Sequence, residues 1–149
     1  MRLSSHALGQ RKATLTAKLE DLGDATVDDT GVGGQTRELR IVAAAPGGDA
    51  AKAAVFDYRE VYRRARGPAW EMVVYAYEYR DTLSGGRRAY HLHDGIFHAH
   101  CVDPTAHGRD HHYRAPEMDV FEAHDEFRGF YVAGLTVRCD DLRPALVRR

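Results

Sequence analysis

Seven of this chain's nine histidines lie between positions 91 and 112: His91, His93, His98, His100, His107, His111 and His112. Imidazole is the one side chain that titrates near neutral pH, and its neutral form is also a common metal ligand. The densest stretch runs Ala89-Tyr90-His91-Leu92-His93-Asp94-Gly95-Ile96-Phe97-His98-Ala99-His100-Cys101. Asp-Gly is a preferred central pair for a two-residue type I′ hairpin turn. With that turn, His93 opposes Ile96, Leu92 opposes Phe97, His91 opposes His98, Tyr90 opposes Ala99 and Ala89 opposes His100. Opposed residues point to the same face, and faces alternate along a strand. One face then carries His91, His93, His98 and His100. The other carries Tyr90, Leu92, Phe97, Ala99 and Cys101.

Two kinds of chemistry fit such a face. The first is acid–base cleavage of RNA, in which one imidazole accepts a proton and another donates one. His98 and His91 are then the acid–base pair, supported by His93 and His100. Arginines beside the histidines (Arg87, Arg88, Arg109, Arg114) supply cations for a phosphate, with Arg88 and Arg114 as the clamp. Tyr90, His111 and His112 have supporting positions. The second is a metal site of His91, His93, His98 and His100 holding Zn, Fe or Ni, completed by Asp103, Asp110 or His111. The spacing matches neither the H-x-H-x-D-H pattern of metallo-β-lactamases nor the cupin H-x-H with its following glutamate. A third reading is a polar solvent face on a non-catalytic interaction module. His124 reads as a core residue, and His6 and His107 as surface residues.

The elements that must position these residues read as follows. Leu8, Leu15, Leu19 and Leu22 fall on one face of an N-terminal helix, with Ser4 or Ser5 as cap and Gly23 as stop. Residues 24–36 read as a polar, glycine-rich loop without a phosphate-loop motif. From 37 to 102 the chain reads as an antiparallel meander of five strands: Glu38–Ala43, Val55–Arg63, Trp70–Tyr79, Arg87–His93 and Ile96–Val102. Residues 50–66 also fit a helix capped by Asp49, but Val55, Phe56, Tyr58, Val61 and Tyr62 favour a strand. Tyr75, Tyr77 and Tyr79 share a face and serve either as core aromatics or as a platform for bases. Residues 103–114 read as a loop. A helix then starts at Pro116 and ends near 128, and Phe130–Arg138 is a candidate sixth strand. The pairs Asp28-Asp29 and Asp140-Asp141 read as solvated loop.

Composition sets the limits. At 44% hydrophobic and 29% charged over 149 residues, the chain has the makeup of one globular domain, 1–149. No run of 18 apolar residues is present, so no membrane-spanning helix is expected. The net charge of −1 gives no global signature for nucleic acid. All basic side chains except Lys12, Lys18 and Lys52 are arginine, and the histidine-bearing middle third is mildly positive. The N-terminal residues lack the apolar stretch of an export signal, so the expected address is cytoplasmic. In a reducing cytosol Cys101 and Cys139 are expected as free thiols.

Tyr75-x-Tyr77-x-Tyr79, Arg88-x-Tyr90-His91-x-His93 and Asp110-His111-His112-Tyr113-Arg114, followed by an acidic helix, resemble the TumE family of toxin–antitoxin toxins over about residues 38–128. The resemblance implies a cytoplasmic toxin neutralised by an antitoxin with a DNA-binding domain, and leaves the reaction open. The expectation is therefore an α+β domain, a five-strand antiparallel β-meander with an N-terminal and a C-terminal helix. Its expected activity is that of a metal-independent ribonuclease acting on RNA.

Overall fold

Leu8, Leu15 and Leu19 do make one face of a helix, Ser5–Glu20 (α1), but it ends at the Asp21 cap, short of the expected Leu22 and Gly23. The Ser4 hydroxyl accepts from the Ala7 amide at 3.0 Å and caps it. Leu8, Leu15 and Leu19 are buried against the sheet. The structure, a computed structural model, describes residues 1–45, 53–106 and 109–144. The expected turn at Pro46-Gly47-Gly48-Asp49 and residue His107 lie outside the described residues.

The strands are β1 (Arg2–Leu3), β2 (Asp24–Val32), β3 (Thr36–Ala45), β4 (Ala54–Arg64), β5 (Trp70–Asp81), β6 (Arg87–His93), β7 (Ile96–Val102), β8 (His111–Arg114) and β9 (Arg143–Pro144). A second helix, α2, spans Val120–Val132. Strands β2 to β9 lie in chain order as one open antiparallel sheet. β1 pairs with β5 at Leu3↔Trp70, beyond the reach of β6. The α+β meander is therefore present, but with eight successive strands in place of five. No helix among the described residues is long and apolar enough to cross a membrane.

Three of the extra strands come from segments expected as loop or tail. Residues 24–32 are strand because Ala25 and Val27 alternate with Thr26 and Asp28 and turn toward the core. Gly33 and Gly34 take positive φ to make the turn into β3. Asp29 is not a solvated loop residue: it binds Arg37 and Lys12. His111–Arg114 is strand because β7 offers it a free edge, with Cys101↔His111 and His98↔Arg114 in register. The two-residue β9 extends the sheet by pairing with β8. Residues 54–64 take the favoured strand and not the helix.

The second helix starts later than expected. Tyr75 Oη accepts from the Met118 amide at 2.9 Å and holds the chain out of the helix there. Asp119 then caps Val120, accepting from the Phe121 amide at 2.8 Å. No strand forms over Phe130–Arg138, because Phe130 to Val132 remain helical. Gly134, at positive φ, follows the helix end.

Both helices cover one face of the sheet. Phe56, Tyr58, Tyr62, Tyr77, Tyr79 and Tyr90 fill the space beneath them with Val120, Ala123 and Phe127. The aromatic triplet Tyr75, Tyr77 and Tyr79 is thus core, each residue at most 2% exposed. Glu60 is buried on this side and fully bonded, to the Arg11 guanidinium and to the hydroxyls of Tyr62 and Tyr77. His124 is also core, 2.8 Å through Nδ1 from the Tyr58 hydroxyl. Cys101 and Cys139 are joined in a disulfide, which overturns the expectation of free thiols. The two cysteines come together because Cys101 faces the helix side and the segment after α2 folds back over it. Among the described residues no helix lies on the other face of the sheet.

Candidate metal centre on the open face

The β6–β7 hairpin turns on Asp94 and Gly95, both at positive φ, as a type I′ turn requires. Its register pairs His91 with His98 and Ala89 with His100. The next ladder sets His98 against Arg114 and His100 against His112. His91, His98, His100 and His112 therefore meet on the open face. Ring centroids lie 5.2 Å apart for His91–His98, 4.6 Å for His91–His100 and 5.0 Å for His98–His100. His112 stands 4.1 Å from His100 and 5.9 Å from His98. Ala89, fully buried between Glu78 and His100 in its row, is small enough to leave the rings room.

Two carboxylates hold the rings from behind. His91 Nε2 lies 3.2 Å from Glu78 Oε1, and His100 Nδ1 lies 3.2 Å from Asp110 Oδ2. Arg87 bridges the two acids, bonding Asp110 at 2.6 Å and Glu78 at 2.5 Å. A ring N–H donated to a carboxylate fixes the tautomer and leaves the other ring nitrogen with its lone pair free. Two triads have their ligating atoms within 4.8 Å of one another: His91, His98 and His100, and His100, Asp110 and His112.

The electrostatics favour the neutral form of two rings, His98 and His100. Burial, and then repulsion from His91, pushes His100 down to about 4, against the pull of Asp110. Burial, then His91 and His112, also lowers His98. The His91 hydrogen bond, followed by those of Arg87, holds the Glu78 carboxyl at about 2. His98 and His100 are thus biased toward the neutral imidazole, beside an ionised Glu78 carboxylate.

The structure gathers some of the residues singled out in the sequence and separates others. His91, His98, His100, His112 and Asp110 are together. His93 sits at the hairpin end, its side chain 68% exposed, beside its neighbour Asp94. His111 faces the other side of β8, its ring against Tyr113. Arg88 does not reach the histidines: it points to the helix side, buried, and pairs with Glu126 and Asp141. Tyr90 is on that same side and donates to Glu126 at 2.6 Å. Asp103 accepts from the amides of Thr105 and Ala106 and serves its own turn. Arg114 is exposed and lies cross-strand from His98. Glu78 and Ala89 were missed. Alternation from the tyrosines places Glu78 on the open face, but finding it beside His91 needs the β5–β6 register.

Comparison with family models, curated proteins and solved structures gives no match.

Proposed function

We propose that this chain is a divalent-metal protein whose centre is held by His91, His98 and His100, with Glu78 and Asp110 as the carboxylates that orient His91 and His100. The observation that carries this reading is the convergence of three imidazoles with carboxylates behind two of them. Zinc–nitrogen bonds of about 2.0–2.1 Å in a tetrahedral shell set imidazole centroids about 5 Å apart. The triad's centroids are 5.2, 4.6 and 5.0 Å apart. All-imidazole ligation suits Zn, Fe and Ni, and the spacing is compatible with tetrahedral zinc. Three protein ligands leave a fourth position for water or substrate, the arrangement of catalytic zinc. His112 stands against the triad on the β8 side.

Elemental analysis of untagged protein purified without added metal tests the reading. About one equivalent of zinc per chain is expected, lost in His98→Ala and in His100→Ala but kept in His93→Ala. Absence of metal, or metal content indifferent to His100→Ala, would overturn it.

A second reading is the metal-independent ribonuclease toxin with an antitoxin partner. It draws support from the adjacency of His91, His98 and Arg114 in one row across the sheet. The burial that lowers His98 suits it to the base's role in that pair and not to the acid's, which must be protonated near neutral pH. RNA cleavage that survives EDTA and is lost in the His91→Ala/His98→Ala double variant would establish it. The disulfide counts against a cytoplasmic address, because such bonds persist in oxidising compartments.

A further inference from the structure

Five residues on the open face stand in one row across neighbouring strands: Arg59, Ala76, His91, His98 and Arg114. Arg40 extends the row directly opposite Arg59. Like charges placed directly opposite in a sheet are unfavourable. Each of these two arginines leans instead to an acid in a neighbouring row, Arg40 to Asp57 and Arg59 to Glu38. Between Arg59 and His91 the row drops to the methyl of Ala76. The result is a hollow of about 340 Å³ whose walls include Arg59, Val74, Ala76, His91 and His98. That is a size for a small ligand. Two of its walls are two of the three proposed metal ligands.

We propose that this hollow binds a small organic anion that enters the open position of the metal centre, its carboxylate taken by Arg59 and its apolar body lying on Val74 and Ala76. The inference rests on the metal reading above and names the class of ligand for that centre. Strands lie about 4.8 Å apart, so Arg59 and His91 are about 10 Å apart at the backbone. Both residues line the hollow about Ala76, and with Arg59 turned from Glu38 toward it a chain of two or three carbons joins the two ends. The bond from Arg59 to Glu38 is no obstacle. Both partners are about 40% exposed, and an exposed pair of this kind exchanges readily for another carboxylate.

Cobalt(II) in place of zinc makes the test optical, since thiolate binding to cobalt produces a charge-transfer band. The full chain is loaded with cobalt and titrated with 3-mercaptopropionate and, separately, with ethanethiol, which lacks the carboxylate. The expected result is at least tenfold tighter binding of 3-mercaptopropionate. That advantage should shrink to near parity in Arg59→Gln, and again in Ala76→Leu, which fills the hollow. Cobalt stoichiometry should not change in either variant, because neither residue is a ligand. Equal affinity for the two thiols in the unaltered protein would overturn the proposal and leave the metal centre standing. An advantage that persists in both variants would do the same. Failure to bind cobalt would remove the metal reading and this inference with it. Displacement of 3-mercaptopropionate by a micromolar oligoribonucleotide would assign the row of arginines to RNA and overturn the small-ligand proposal.

Discussion

A single carboxylate shows how charge on this molecule answers to pH. Asp29 lies on the partly buried side of β2, where its hydrogen bonds with Arg37, and then Lys12, hold the carboxyl at about 2. An unfolded aspartate titrates at about 3.9. A folded pKa below the unfolded one stabilises the fold fully above the unfolded value, and the contribution fades as pH falls through the folded value. Asp29→Asn should therefore cost about 1–2 kcal/mol at pH 7, with the partial exposure of both cations taken into account. The gap from the unaltered protein should narrow to about half by pH 3. Urea denaturation of the two proteins at both pH values checks this, and a gap that does not narrow would discard the assignment. At this scale the sequence is informative wherever a residue's face follows from alternation. His91, His98 and His100 come together because Asp-Gly fixes the hairpin register. The same alternation sets Arg88 beside Tyr90, on the side away from the histidines. His93 shares the face but not the cluster, because the flanking ladders end before it: β5 pairs with β6 only as far as Leu92, and β8 with β7 only from His98.

Close backbone approach governs how the elements join. A Cβ on Gly23 would stand 2.2 Å from the carbonyl oxygen of Ala44, where the turn after α1 enters β2 beside β3. Backbone cannot yield as a side-chain tip does, so Gly23→Ala should destabilise by about 1–3 kcal/mol, as overpacking does. Gly9, on the exposed side of α1, has nothing within 4 Å of its added Cβ. There alanine should stabilise by about 0.5–1 kcal/mol through helix propensity alone. Thermal unfolding of the two variants should show opposite signs, and two shifts of the same sign would show that helix propensity does not separate them. The elements legible in advance are those with strong periodicity: α1 from its leucines, and β5, β6 and β7 from alternation and turns. β2 was hidden because an edge strand with one wet face reads as polar loop, with Asp and Thr filling every second position. β8 was hidden for a different reason. Four residues, two of them histidine, have too little pattern of their own, and they become strand only because β7 supplies the edge. The Arg11–Glu60 pair joins α1 to β4 across 49 positions, a contact that no local pattern announces.

For the molecule as a whole, the disulfide is the one covalent tie between the sheet and the chain that follows α2. It links Cys101 on β7 to Cys139 across 38 positions. Closing a loop of that length removes unfolded-state entropy equivalent to about 4 kcal/mol in the chain-entropy account, and native disulfides typically contribute about 2–4 kcal/mol. The tied segment also completes the surroundings of Arg88. The Arg138 carbonyl accepts from its guanidinium, and Asp141 pairs with it. With the tie cut, the segment can lift away and leave a charge that is now 1% exposed with Glu126 as its remaining acid. Reduction by a phosphine, or the Cys101→Ser/Cys139→Ser double variant, should therefore lower the urea midpoint by an amount worth about 2–4 kcal/mol. It should also open the chain after Gly134 to limited proteolysis while the sheet persists. The proposed metal centre should respond differently. His91, His98 and His100 stand on β6 and β7, held by the long ladder with β5 and not by the two-residue β9. The double variant should therefore keep its zinc stoichiometry. If zinc fell together with stability, the C-terminal segment would be a prop of the centre acting through β8, where Asp110 and His112 adjoin His100. If neither changed, the disulfide would be peripheral to the fold, and the burial of Arg88 would have to rest on Glu126 and Tyr90 alone.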